Sequence, residues 1–376
     1  MLYISRMLKL NHRTSTSSLL NRKLAPLWLA AISALTANNV FTQAPGAHRE
    51  QLVQRVLQQL HHEAYDSALT ACAMIRRQWP DDPTADVLQM SLYQTQMRNF
   101  RVRLHEAAFD SLSKNAVRLA EKKIKAHPSA EMFFMQGSAR GLQALYRFQQ
   151  GEWSAALRDA AVALHAMNRA LQKDESFVDA TLTIGLYKYW KSQKLGFGID
   201  LYAHERQEAF VIIEQVWKHG RYSTVEGALT LQNVLLYSRE NHQALEVNEW
   251  LHERYPTHPS VLYHRALLME RLQRPAAALA LWEKLIHRIN TSPWQSHTLL
   301  AECYLHCAQL GEALRLAGAN GDHPSQKIGE ALQLAAWHAE RRDKARELES
   351  IFQRFDEIAG EIKKMQKNLA GSQLGN

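Results

Sequence analysis

Eighteen histidines are the residues best placed to do chemistry in this 376-residue chain. His62-Glu63 and His252-Glu253 open as a zinc-protease helix does, with a metal ligand beside a general base. That chemistry needs a second histidine one turn on, and those positions hold Asp66 and Pro256. His61 and His62, adjacent on a helix, point in different directions and form no chelating pair, so the histidines read as solvated surface residues. Three cysteines are present. Cys303 and Cys307 lie four apart on one face of an expected helix, a geometry that does not readily close a disulfide, and Cys72 is remote. No C-x-x-C spacing occurs, and all three read as small apolar packing residues. Gly196-Phe197-Gly198 lacks the third glycine and the preceding strand of a phosphate cradle, and no nucleophile elbow is found. Nine tryptophans raise an all-helical enzyme or glycan-binding module with aromatic platforms beside paired carboxylates. Trp153 and Trp282 fall at helix-packing positions instead, and no isolated carboxylate pair stands near Trp190 or Trp217. The sequence offers no catalytic set, no metal site and no cofactor motif.

The elements that would position any site are helical. Sixteen glycines and ten prolines are too few for a turn-rich all-β chain, and 46% hydrophobic with 22% charged residues is ordinary for a folded domain. The length exceeds one compact core, which leaves two domains or one extended array. Of the net charge of +8, five charges (Arg6, Lys9, Arg13, Arg22 and Lys23) lie in residues 1–44, which hold no acid. The body is left nearly balanced, without the basic patch that nucleic acid requires. After Arg22-Lys23 come about fourteen apolar or small residues, Leu24–Ala37, and then a small-residue exit ending at Ala44. A basic start, short apolar core and small exit predict a secretory signal over 1–44, with Met7 an alternative start. A mitochondrial transit peptide is the rival reading, and a buried helix of the mature domain another. No cysteine precedes Cys72, which excludes a lipid-anchored cysteine at the cleavage site. Nothing further along approaches the roughly 18 apolar residues of a membrane span.

Internal repeats set the architecture. Counting from Pro259, Leu262, Ala266 and Met269 occupy positions 4, 8 and 11, and Ala278, Trp282 and Leu285 positions 20, 24 and 27. These are the contact positions of a 34-residue helix–turn–helix unit in which small residues at 8 and 20 let two helices approach closely. Counting from Trp294 puts Ala301 at 8, Tyr304 at 11, Leu310 at 17, Ala313 at 20 and Ala317 at 24. Second helices with the same spacing appear at Tyr65, Ala68, Cys72, Ile75 and Pro80, at Ala244, Leu251 and Pro256, and at Trp153, Ala156, Ala160 and Ala163. Proline after a second helix stops it and sets the next turn. Between these units Glu131–Gln149 and Ser154–Lys173 run longer than a standard repeat, and Asn99–Arg103 loses phase. Asp179–Trp190 reads as a first helix with Gly185 at the close contact.

On these positions the chain resembles the tetratricopeptide-repeat superfamily, over most of residues 50–350. The segment Gly185–Trp190 (GLYKYW), with the glycine-bearing stretch after it and the pairs Glu205-Arg206 and Arg221-Tyr222, is similar to a subset of bacterial envelope repeat proteins and to an outer-mitochondrial-membrane repeat family. The resemblance implies an all-α fold: a right-handed superhelical solenoid of antiparallel helix pairs with a polar C-terminal capping helix. The expected layout is repeats over 45–190, an insertion loop over 191–202, repeats over 203–325, capping helices over 326–370 and a frayed tail over 371–376.

In such an array first helices line a concave groove, entered by positions 5, 9, 12 and 13. In the Pro259 unit these are Tyr263, Leu267, Glu270 and Arg271; in the Trp294 unit Thr298, Glu302, Leu305 and His306; Tyr189 and Trp190 fall on the same side. Arg288 lies on the opposite side. Aromatic and charged residues there suit a protein or peptide partner. The function expected is a non-catalytic interaction scaffold exported to a bacterial periplasm, the alternative being a glycan-binding module or enzyme acting on envelope polymers. Sequencing the N-terminus of the native protein is expected to show cleavage near Ala44; an intact start at Met1 or Met7 in a cytosolic fraction would sink the export reading.

Overall fold

The computed structural model describes residues 45–195 and 203–316. Residues 49–376 cluster as one compact unit and Met1–His48 as a second, described here only from Pro45. Thirteen α-helices and no strand are found among the described residues. The first six are α1 (Pro45–His61), α2 (Tyr65–Gln78), α3 (Thr84–Phe100), α4 (Glu106–Ala126), α5 (Ala130–Gln149) and α6 (Trp153–Lys173). A short 3-10 turn (Val178–Ala180) leads into α7 (Thr181–Leu195), α8 (Ala203–His219), α9 (Thr224–Tyr237) and α10 (Asn241–Arg254), then α11 (Pro259–Arg271), α12 (Pro275–Asn290) and α13 (His297–Leu316). From α2 onward each helix packs chiefly on its neighbours in sequence. Proline opens α11 and α12 at their first position, where no backbone N–H is needed.

Burial follows the repeat spacing where the units are regular. Leu262, Ala266 and Met269 of α11 meet Ala278, Trp282 and Leu285 of α12 in the C-terminal core, and Tyr65, Ala68, Cys72 and Ile75 lie in the N-terminal one. A Cβ on Gly185 would stand 2.8 Å from Ile213 Cγ1, so α7 and α8 approach as closely as glycine permits. Cys72, Cys303 and Cys307 are buried free thiols, and burial pushes the Cys72 thiol up to about 12.

Two registers differ from the sequence reading. The expected turn inside the Trp294 unit does not form: α13 runs unbroken through it, with Gly311 buried mid-helix and Ala313 exposed. In α6, Ala160 faces solvent and Asp159 takes the buried place, because Arg140 and Arg147 of α5 hold its carboxylate at 3.3 and 2.6 Å. A carboxylate shared by two guanidiniums can occupy a helix contact otherwise reserved for small residues. The stretch from Lys191 to Leu195 continues α7 rather than opening a loop, with the Ser192 hydroxyl donating to Tyr189 O at 2.7 Å. The leader 1–44, the rest of the insertion and everything after 316, including the expected capping helices and tail, lie outside the described residues.

Ala278 is fully buried between α11 and α12, so Ala278→Leu is expected to overpack the contact and cost about 1–3 kcal/mol. Ala313→Leu, at an exposed site, should stay within about 0.5 kcal/mol of the parent. Thermal melts that rank the two the other way would refute this assignment of contacts.

Candidate functional site

The C-terminal end of α3 packs against α11, two helices far apart in sequence. The inner side of the C-terminal first helices is therefore met by this chain's own N-terminal helices. The meeting is polar at its centre. Arg98 reaches Glu226 in the first turn of α9 through two hydrogen bonds, 3.0 and 3.2 Å. Burial alone would raise the Glu226 carboxyl, but Arg98 and its hydrogen bonds outweigh this and hold it at about 2. Asn99 accepts a hydrogen bond from the Ser260 hydroxyl at 2.7 Å, so its amide nitrogen faces His258 Nε2 at 3.1 Å and donates to it. The proton of that ring then sits on Nδ1, which is buried without a partner. His61 and His258 are both almost fully buried rather than solvated. Burial first, and then Arg98, lowers both: His61 to about 4, His258 well below the usual range. His264, half-buried on the cavity wall, is lowered to about 3 by burial and then by Arg101, Arg98 and Arg271.

Next to this lies a second network. Arg101 ion-pairs with the buried Glu302 of α13 and lies over the Tyr263 ring, 4.7 Å from its centre. The Tyr263 hydroxyl donates to Glu302 at 2.8 Å, and burial lifts its pKa to about 12. Trp282 stands edge-on to Tyr263 and stacks on His306 at 4.4 Å, while its indole N–H donates to Glu270, which also faces His306 Nδ1 at 2.9 Å. Between the two networks is a cavity of about 190 Å³, lined by Arg98, Asn99, Arg101, Asn233, Tyr263 and His264 among others. Apolar contacts flank it: Trp294 packs on Tyr65 and Phe100 at 5.3 and 5.4 Å between ring centres. Arg288 pairs with the buried Glu63 at 3.1 Å and lies over Phe100, so it is not the idle outer residue expected. Asp179 binds the start of α9 further along, accepting from the backbone N–H groups of Arg221, Tyr222 and Ser223 at 2.7–2.9 Å. Glu50 of α1 receives Arg221 at 2.6 Å and the Tyr222 hydroxyl at 3.1 Å.

The residues assigned to the groove thus divide. Tyr263, Glu270, Glu302 and His306 are brought together in one network, Thr298 and Leu305 are buried beside it, and Leu267 packs on the C-terminal core. Tyr189 is fully buried, its hydroxyl donating to Val234 O at 3.2 Å. Trp190 and Arg271 remain at the surface, and between them stands Tyr237, 66% exposed, which the sequence reading passed over. Trp190 meets Tyr237 edge-on at 5.9 Å, and Arg271 donates to the neighbouring Leu236 O at 2.6 Å. The signal for Tyr237 was present: with Ala244 at position 20, it stands at position 13 of its unit, as Arg271 does in the Pro259 unit and Trp190 does when Gly185 is set at 8.

No protein-family model matches the chain, and no curated protein matches it significantly. Solved structures similar to it include yeast Tom70, at 10% identity over 90% of this chain and 85% of that one, with a TM-score of 0.35. The TPR domain of P58(IPK) matches at 12% identity over 85% of this chain and all of that one, TM-score 0.24. Naa15/Naa10 bound to HypK matches at 13% identity over 86% of this chain and 62% of that one, TM-score 0.26. These likenesses are remote, and the helix-pair architecture described above rests on the helices themselves.

Arg101→Leu strips the buried Glu302 of its guanidinium and is expected to cost about 2–3 kcal/mol, near the lower end for a buried pair because Arg101 keeps a third of its surface exposed. Arg101→Leu combined with Glu302→Gln removes both charges and is expected to recover most of that loss in urea unfolding. A double variant no more stable than the single one would show that the ion pair is not the cause.

Proposed function

We propose that the chain is a non-catalytic helical-repeat scaffold that binds a protein partner along the exposed strip Trp190–Tyr237–Arg271. The observation that carries this reading is the register of the strip. Three residues from the same repeat position, on three alternate helices, come to the surface next to one another, although the rest of the assigned groove is occupied by the chain's own side chains. Tyrosine and tryptophan combine large contact area with few conformations to lose, arginine adds a planar fork of charged donors, and the three are the commonest anchors of protein interfaces. Tyr187, also exposed on α7, widens the aromatic part. The basic, apolar and small-residue pattern of residues 1–44 supports meeting that partner after export, in a bacterial envelope.

Affinity capture on the mature chain from its native envelope, read by mass spectrometry, is expected to recover one partner in stoichiometric amount. Trp190→Ala, Tyr237→Ala and Arg271→Ala should each weaken that complex by about 2 kcal/mol, roughly thirtyfold in affinity. Melting temperatures should stay near the parent's for Trp190 and Tyr237, which are 46% and 66% exposed. Retention on peptidoglycan or glycan arrays, lost in the same variants and with no protein recovered, would turn the assignment to a glycan-binding module. Unchanged affinity in all three variants would remove the strip from the binding face.

A further inference from the structure

The contact between α3 and the C-terminal helices holds more titratable groups than its stability needs, and their arrangement is directional. His61 closes α1, His258 stands at the N-cap of α11, and His264 lies one and a half turns further along α11. All three face the same guanidinium, Arg98; His264 also faces Arg101 and Arg271, and His61 its neighbour His62. The acid opposite them is Glu226 of α9, already engaged twice by Arg98. A proton added to His258 or His264 therefore meets net positive surroundings; at His61, where the Glu226 carboxylate attracts it more than Arg98 repels it, burial opposes the proton. At His258 two further features oppose it. The ring accepts from Asn99 through the nitrogen that would be protonated, and the N-terminus of a helix repels a cation.

We propose that this seam is an acid-operated latch: proton uptake by His61, His258 and His264 parts α3 from α9 and α11 and widens the inner cavity. The sense of the linkage follows from burial. Each imidazole takes up its proton at lower pH in the closed seam than it would in water, so the closed form is fully favoured above about pH 6.5 and loses ground as pH falls toward 4. Each histidine changes the closed-to-open ratio by up to about tenfold per pH unit across that window. The carboxylates contribute less. Glu226 is held low in the closed seam, so it adds to opening only at the acid end of the window, as pH falls into the ordinary carboxylate range. Glu63, facing Arg288 and Tyr65, is held above its usual range by burial, so its protonation eases the closed form and opposes opening. The three histidines, joined by Glu226 at the acid end, pull one way and Glu63 the other. Glu302 and Tyr263 face Arg101 in the adjoining network and tie it in place, which keeps its charge beside His264. The inference does not need the partner strip and stands or falls apart from it.

Small-angle scattering of the full chain from pH 7.5 to 4.5, with far-ultraviolet circular dichroism on the same samples, tests the latch. The radius of gyration is expected to rise reversibly below about pH 6 while helicity is retained. The variant His61→Asn/His258→Asn/His264→Gln, closed at pH 7.5, should stay closed at pH 5. If the triple variant is not closed at pH 7.5, His258→Asn alone decides. Asparagine suits an N-cap and still offers Asn99 an acceptor, and its transition should be less steep than the parent's by about one proton. A radius that does not change down to pH 4.5, a rise that coincides with loss of helix, or variants that open with the parent's midpoint and slope would each overturn the proposal.

Discussion

Two arginines at the end of α3, Arg98 and Arg101, carry the contact on which the rest of the described fold depends. Each is brought partly out of water against a carboxylate, Arg98 against the half-buried Glu226 and Arg101 against the buried Glu302. Removing a charge from water costs several kcal/mol per ion even after relaxation, and the mutual attraction roughly returns that cost when the hydrogen bonds are also complete. The ion pairs therefore supply little net stability and a great deal of discrimination. A slip of α3 by one residue would leave Glu302 buried without its cation and separate Arg98 from Glu226. The net gain has to come from the apolar flank, where Trp294 of the α12–α13 link enters between Tyr65 and Phe100. Aromatic area closes the seam and charge sets its register.

The backbone shows what the seam demands. Glu63 and Arg101 both sit in the left-handed region, with φ of 60° and 47°, at the ends of α1 and α3. Glycine is the usual occupant of such a position because it avoids a cost of about 1–2 kcal/mol. Here the side chains are required. From the end of α1 Glu63 reaches Arg288, and from the end of α3 Arg101 reaches Glu302 and Tyr263. Arg239 and Gln273 take the same conformation at the ends of α9 and α11, so the reversal belongs to the turn between paired helices; at Glu63 and Arg101 it also aims a charged group at a distant element.

This distinction explains what the sequence disclosed. The contacts of Leu262, Ala266, Ala278 and Trp282 were legible because the residues that meet lie within one unit and recur at fixed spacing. So was Trp190, whose exposure follows from its place in the same register. The seam was not legible: Arg98 and Glu226 are 128 residues apart and Arg101 and Glu302 are 201 apart, and no local periodicity marks either pair. His61 and His258 looked like surface histidines because nothing nearby in sequence encloses them. Arg288 looked idle for the same reason. The unbroken α13 misled in another way, since an alanine at position 20, Ala313, satisfies the repeat pattern equally well on the exposed side of a continuing helix.

The closed seam also divides the inner face of the repeats by position. Position 5 is turned inward: Leu229 and Tyr263 line the polar cavity, and Thr298 is buried beside Leu299. Position 13, two turns further along, comes out on α7, α9 and α11 as Trp190, Tyr237 and Arg271, whereas on α13 it is His306, stacked on Trp282. A partner meeting the closed form finds only the second row, an aromatic pair with one guanidinium beside it. Parting α3 would add His264 and Tyr263 to the same surface, with the Glu226 and Glu302 carboxylates freed from their arginines. The recognition surface would then change from small and aromatic to broad and charged without any helix unfolding, because the residues involved sit on elements whose packing within their own units is complete. Self-occlusion of this kind limits binding through the cost of opening, and a partner that engages only the open form has its apparent affinity reduced by the fraction of molecules that are open.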